Sequence, residues 1–388
     1  MSERQLRSYW AHWRHDLAQP YQTLNRIEVS RSALLHNYDS VATQHPGMAI
    51  MPVLKANAYG HGLTEVAEIL QDRRFPYLIV DGYFEALKLR RLTKRPILVM
   101  GYIDPVNYAA LKTNGLAFVV HDRPSIDTLG KLRRSVTIHL EVNSGMNRHG
   151  IEPDELESYL TLIRSYPNLH LEGVMSHLAD ADGETDTFTH QQVEVFDNCV
   201  DQIMAAGFNP RLVHLAQTAG STRAASRHAN AIRLGIGLYG INPFAVETKE
   251  YAKLAHLKPA LTLTSTITKI IELKKGEKVS YNGIWTATSP TRIGVLPLGY
   301  YEGIPRELSN VGFVKYQDEF MPIVGRICMN HIMINLAKSS AAYLDKVTVI
   351  SNDPTDRNSI AGLAREYNLF SYELLTGLSE SVRRVIVD

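Results

Sequence analysis

Cysteine is nearly absent from this chain: 388 residues carry two, Cys199 and Cys328. Two thiols cannot build a disulfide framework, so the composition points to a reducing compartment, the cytoplasm. Charge of one sign is lacking as well. Lys and Arg number 41 against 40 Asp and Glu, a formal net charge of +1. That balance offers no electrostatic footprint for nucleic acid, and no basic stripe interrupts it. No apolar run approaches the roughly 18 residues that a membrane span requires. Low-complexity tracts are missing too. What remains is ordinary for a soluble globular protein, 45% apolar and 21% charged, and long enough for two domains and a sizeable core.

The first 25 residues are polar, with Trp10 and Trp13 among Arg and His. They lack the apolar centre of a signal peptide and read as an added amphipathic helix. Arg26–Ser30 is a short β-like run, and a Ser-capped helix follows from Ser32. Then a rhythm sets in. Apolar, β-branched runs occupy 48–54, 77–80, 96–100, 116–120, 136–142, 171–175, 211–215 and 231–234. Segments with helical spacing lie between them, for example 63–70, 84–92, 155–163 and 191–204. Strands alternating with helices predict parallel β/α units, and eight of them match a (β/α)8 barrel. An open doubly wound sheet is the runner-up, but no Gly-x-Gly-x-x-Gly follows the first strand.

Near Leu257 the pattern changes. Residues 261–270 alternate with period two, as a half-buried antiparallel strand does. Further strand-like runs cover 291–298, 312–316, 321–328, 331–336 and 346–350, with helix expected at 359–367. The predicted organisation is an extension at 1–25, a barrel over 26–255 and a mainly antiparallel β domain over 256–388.

The most informative stretch is Val53-Leu54-Lys55-Ala56-Asn57-Ala58-Tyr59-Gly60-His61-Gly62. It delivers a lysine to the end of the first barrel strand, where partial desolvation favours the nucleophilic free amine that Schiff-base chemistry needs. Taken alone, a strand-end lysine is more often a snorkelling side chain. Functional side chains of a barrel collect at the C-terminal ends of its strands. There the sequence places Glu141 and Asn143, then His177, then His214 with Gln217 and Thr218, then Arg233 before Gly235. Thr218 can donate a hydroxyl and Gly235 admits close approach by an anion, as the usual barrel phosphate site requires. Blander readings stand beside these: His214 as a hydrogen-bonded core histidine, Arg233 as an ion-pair partner. His61, His177 and His214 could instead hold a metal. The His-x-His of barrel hydrolases is missing, however, so no metal is expected.

The decapeptide resembles the cofactor-lysine signature of the alanine racemases, pyridoxal-phosphate (PLP) enzymes of fold type III. Six further segments extend the resemblance. Asn143–Arg148 is similar to the family's Asp-Thr-Gly-Met-x-Arg, and 176–182 to its His-x-Ala-x-Ala-Asp. Residues 233–240, 279–281 and 298–300 with Gly303 and Arg306 match closely, as do 324–329. The resemblance implies a PLP-dependent homodimer interconverting L- and D-alanine, with each active site shared between subunits and D-alanine going to peptidoglycan. Lys55 would carry PLP and serve as one acid/base group, and Tyr281 of the partner subunit would be the other. Arg233 would face the pyridine nitrogen. Tyr59, Thr218, Gly235 and Ile236 would hold the phosphate, with Tyr239 beside them. Arg148 and the backbone at Met329 would orient the substrate carboxylate, and Tyr300 would line the entrance. His177 would link Arg233 to Tyr281.

Three positions depart from the family pattern. Glu141 stands where many members have a carbamylated lysine, and is expected to hold Arg148 with its own carboxylate. Asn330 replaces the usual Asp, and Glu380 replaces a phosphate-contacting Tyr. Competing functions are a racemase of serine or another amino acid, a PLP decarboxylase and a non-catalytic PLP-homeostasis protein. Decarboxylases of this architecture put an acid where Arg233 stands, and homeostasis proteins lack a tyrosine-bearing β domain.

Overall fold

The structure, a computed structural model, describes residues 22–388, so the helix expected over the first 25 residues lies almost wholly outside the described part. At its described end, the Asn25 amide donates to Pro297 O at 2.6 Å and accepts from Ser265 Oγ at 2.7 Å.

After β1 (Arg26–Ser30), the eight apolar runs become β2 (Ala49–Pro52), β3 (Leu78–Val80), β4 (Ile97–Val99), β5 (Leu116–Val120), β6 (Val136–Glu141), β7 (Leu169–Met175), β8 (Leu212–His214) and β9 (Ala231–Leu234). They form one parallel sheet in the order β2-β9-β8-β7-β6-β5-β4-β3. A parallel bridge between Val53 and Ile79, with Leu54 N–H donating to Ile79 O at 2.7 Å, joins the two ends into a barrel. Every residue of β3, β4, β5 and β9 is buried. That is why these strands read as unbroken apolar runs: helices cover one face and the packed interior the other.

Residues of the second region alternate instead. β10 (Leu261–Thr266) buries Leu261 and Leu263 and half-exposes Thr262 and Thr264, one face covered and one wet. The single strand expected over 261–270 is two. β10 joins a six-stranded sheet, whereas β11 (Lys269–Leu273) crosses to a three-stranded one. The chain turns at Ile267, fully buried, whose N–H and C=O bond to Asp345 and Leu344 rather than to a ladder. Period-two patterning cannot register such a switch, because Ile267 keeps the apolar beat. The run expected over 321–328 is strand only at its start (Glu319–Pro322) and then becomes an irregular loop. β1 also departs from expectation. It pairs antiparallel with β10 and parallel with the C-terminal strand Arg383–Val387, so it belongs to the six-stranded sheet and not to the barrel.

Candidate active site

Lys55 begins a backbone turn of unusual hand. Ala56, Asn57, Ala58 and Tyr59 all have positive φ, between 51° and 54°, one turn of left-handed helix built without glycine. Left-handed geometry costs L-residues roughly 1–2 kcal/mol each, so other bonds must hold it. The Asn57 side chain accepts from Leu63 N–H at 2.9 Å, and Glu85 accepts from Asn57 N–H at 3.3 Å. His61 donates through Nδ1 to Tyr59 O at 2.9 Å. From the second domain, Arg384 donates to Gly60 O at 2.9 and 3.1 Å. Gly60 itself (φ 78°) cannot carry a side chain, since a Cβ there would meet Leu375 O at 2.0 Å. The turn aims Lys55 and Tyr59 from neighbouring points of the barrel rim. The Lys55 amine is not enclosed by apolar residues as expected; its side chain is 37% exposed and Nζ lies 3.7 Å from Asp81 Oδ1. Asp81 follows β3 at the same rim, a strand-end acid that the sequence reading passed over.

Arg233, from β9, is 2% exposed inside the barrel. One terminal nitrogen donates to His214 Nδ1 (3.0 Å) and His214 O (2.6 Å). The other donates to Ser176 O (2.7 Å), Leu215 O (2.8 Å) and His177 Nδ1 (3.1 Å). Its remaining donor, Nε–H, has no acceptor among the described residues. Burial lowers the guanidinium pKa to about 10, which leaves it charged at neutral pH. These bonds fix the imidazole tautomers. His177 and His214 accept at Nδ1 and so carry their proton at Nε2. His214 Nε2–H then donates to His139 Nδ1 at 2.8 Å. A bulge in β7, at Glu172, seats His139 over Gly173, where a Cβ would lie 2.2 Å from the ring. Among the described residues, His61, His177 and His214 do not bring their ring nitrogens together as the alternative metal set would require.

Burial drives all these imidazoles toward the neutral form. His61 and His139 fall from 6.5 to about 4, and His177, with Arg233 and Arg148 nearby, to about 3. His214 moves in the same direction for the same reason. A base with a depressed folded pKa gives stability that is complete above about pH 6.5. It is lost as pH falls, because the unfolded chain takes up the protons first. At pH 5 each such histidine costs roughly 2 kcal/mol. The denaturant midpoint is therefore expected to fall steeply between pH 7 and pH 5; a flat profile would contradict these assignments.

At the phosphate end, Tyr59 Oη lies 2.9 Å from where a Gly235 Cβ would stand. Thr218, 2% exposed, accepts from Gly237 N–H at 3.1 Å, and a short 3-10 turn, Ile236–Tyr239, opens just after Gly235. The N–H groups of Gly235 and Ile236 have no acceptor among the described residues, nor does the Tyr59 hydroxyl. Two free amides, two hydroxyls and a glycine gap make a cradle for a small anion. Tyr239 packs on Tyr59 with ring centroids 5.0 Å apart, but its hydroxyl donates to Val53 O at 2.8 Å and so braces the strand end. Tyr372, which sequence reasoning missed, packs 6.1 Å from Tyr59 on the other side. No local motif marks it, because it arrives from a C-terminal helix, Ser371–Thr376.

Arg148 is exposed, on a loop closed by Asn143, whose Oδ1 accepts from Gly145 and Asn147 N–H at 3.0 and 3.1 Å. The expected clasp by Glu141 is not formed. That carboxylate, 9% exposed, has His121 Nδ1 as its nearest ionic partner at 3.6 Å, while Arg148 acts on it only through its field. Loop closure points Arg148 outward, away from the buried acid. Glu380 does not confront the anion cradle but lies 3.6 Å from Lys88 on the surface. Asn330 donates to Glu302 Oε1 at 2.8 Å, and Glu302 Oε2 accepts from Gly299 N–H at 2.7 Å. The amide thus fits a carboxylate neighbour that an Asp would repel. Asn330→Asp is expected to destabilise the chain by about 1–3 kcal/mol, read as a lowered Tm at neutral pH that recovers on adding Glu302→Gln. Tyr300 and Met329 are tied into the same loop pair: Cys328 O accepts from Tyr300 N–H and Met329 O from Tyr301 N–H. Tyr281, Tyr300 and Met329 are 65%, 45% and 54% exposed. Tyr281 finds no hydrogen-bond partner among the described residues.

Comparison with known proteins bears on this arrangement. The family model for the alanine racemase N-terminal domain matches residues 29–243, and that for the C-terminal domain matches 260–386. A protein of Carboxydothermus hydrogenoformans named alanine racemase is 32% identical over 93% of this chain and 98% of its own length. One from Syntrophobacter fumaroxidans is 33% identical over 92% and 95%. Among solved structures, alanine racemase of Bacillus anthracis with bound L-Ala-P superposes with a TM-score of 0.87 at 31% identity, covering 95% of this chain and 96% of that one. The biosynthetic enzyme of Pseudomonas aeruginosa gives 0.82 at 29% identity over 95% and 100%. With both domain models matched in order along nearly the whole described length, the chain belongs to the alanine racemase family.

Proposed function

We propose that this chain is an alanine racemase that uses PLP and works in the cytoplasm as a homodimer, its D-alanine serving peptidoglycan. The observation that carries the cofactor reading is the environment of Arg233. A fully buried cation has two of its nitrogens bound to carbonyls and imidazoles, while its Nε–H, like the amides of Gly235 and Ile236, has no acceptor among the described residues. Such a donor suits a ring nitrogen and the amides suit a phosphate, so the residues present fit PLP. Lys55 would carry it; Tyr59, Thr218, Gly235 and Ile236 would hold its phosphate. When bound, PLP supplies the electron sink that makes an amino acid Cα–H acidic.

Everything else falls to the chain. Racemisation takes a proton from one face of Cα and returns another to the opposite face, so two bases must flank that carbon. The Lys55 amine is one. Tyr281 of the partner subunit is the other, since among the described residues of its own chain Tyr281 is exposed and unengaged. A phenol is a poor base at neutral pH unless its anion is stabilised. His177 can do this: its Nδ1 is engaged by Arg233, leaving Nε2–H as a donor. Arg233 cannot accept a proton, so facing the ring nitrogen it would keep that nitrogen largely neutral. That restrains the side reactions that a stronger sink would open. Arg148, free of any ion pair among the described residues, and the Met329 backbone would take the substrate carboxylate.

Support for the cytoplasm is compositional, with both cysteines free and Cys199 buried; among the described residues no helix is long and apolar enough to cross a membrane. Purified protein should interconvert D- and L-alanine faster than serine or any other amino acid offered to it; preference for another would reassign the substrate. Because position 141 carries a glutamate and not a lysine that carbon dioxide could carbamylate, activity is expected not to respond to bicarbonate. A clear bicarbonate requirement would remove that account.

A further inference from the structure

Three side chains at the rim of adjacent barrel strands meet in a way that the reaction does not call for. His121 follows β5, Glu141 ends β6, and His149 stands in the loop after it. One donor atom from each lies within 4.8 Å of the other two. We propose that His121, Glu141 and His149 form a binding site for a divalent late transition-metal ion of the zinc class.

The spacing supports it. Donors bonded to one zinc at about 2.1 Å stand roughly 3.4 Å apart when tetrahedral. His121 Nδ1 and Glu141 Oε2 are already 3.6 Å apart. The His149 ring stacks on that of His121 at 4.5 Å and 29°. It is exposed, so rotation of its side chain can close the remaining ångström or so. His121 Nδ1 is buried without a hydrogen-bond partner, and 3.6 Å is too far for Glu141 to serve as one. An ion would satisfy both groups at once, and orphaned buried polar atoms call for such an explanation. Two imidazoles and one carboxylate select zinc, nickel or copper over calcium or magnesium, which require mostly oxygen ligands. Burial keeps His121 neutral, the form that ligates. The positive fields of Arg148 and Arg233 oppose a cation here, so Glu141, the one anionic donor, is indispensable. The site uses neither Lys55 nor Tyr281 and stands apart from the proposed reaction.

The test uses the holoenzyme, freed of metal with a chelator and then titrated with zinc chloride alone, reading stoichiometry by elemental analysis and affinity by calorimetry. One zinc per chain is expected. His149→Ala, at an exposed position that folding tolerates, should weaken it by at least the roughly 10–100-fold that loss of an outer-shell partner causes. Glu141→Gln should do the same, whereas Cys328→Ser should leave it unchanged. No zinc bound, zinc held equally by His149→Ala, or zinc lost with Cys328→Ser would each overturn the proposal.

Discussion

Lys55→Ala is expected to lose both racemisation and the visible absorbance of lysine-bound PLP. The loss should exceed the roughly 10²–10⁴-fold that one acid/base group contributes, because the same amine anchors the cofactor. The left-handed turn at 56–59 fixes where residue 55 enters the barrel mouth, and it is held by Glu85, Asn57 and Arg384 rather than by Lys55. The substitution should therefore leave the fold intact, which circular dichroism can verify. Persistence of the visible band in a folded variant would refute the cofactor assignment at this residue.

Tyr281→Phe is expected to have a one-sided effect. Removing the hydroxyl deletes one of two bases while Lys55 remains, so net racemisation should drop by about 10²–10⁴-fold. Exchange of the Cα hydrogen with solvent should nonetheless continue for the enantiomer whose Cα–H faces Lys55. Incubating D- and L-alanine separately in deuterated water and following label by NMR resolves the two faces. Equal slowing for both would argue against opposed bases. Because Tyr281 is exposed and unbonded among the described residues of its own chain, little change in subunit stability should accompany the loss.

Much of this architecture was legible in the residues. Eight buried parallel strands are covered on both faces, so burial writes itself into continuous Val, Ile and Leu runs, and each appears where the sequence puts it. Strand-end placement likewise brings Lys55, His177, Thr218 and Arg233 to one rim. What stayed hidden was set by long-range partners. Arg26–Ser30 reads as a short β-like run within the predicted barrel region, and only its pairing with Leu261–Thr264 and with Arg383–Val387 places it in the other sheet. Tyr372 and Arg384 reach the site from the far end of the chain, through contacts to Tyr59 and Gly60 that no local pattern encodes. The sequence suggests Arg148, seven positions away, as the partner of Glu141, whereas its neighbour in space is His121, just past the end of the adjacent strand. The Asn330 departure makes sense only once Glu302 is seen beside it.

The claim on which the rest depends is that one site draws its amine and its phenol from two chains. Complementation tests it directly. Lys55→Ala and Tyr281→Phe proteins, each nearly inactive, are mixed, dissociated and allowed to reassociate. In a two-fold dimer with shared sites, each mixed dimer regains one intact site, so an equal mixture should recover about a quarter of wild-type activity. Activity that stays at the sum of the two parents, in a mixture shown to contain mixed dimers, would contradict the account.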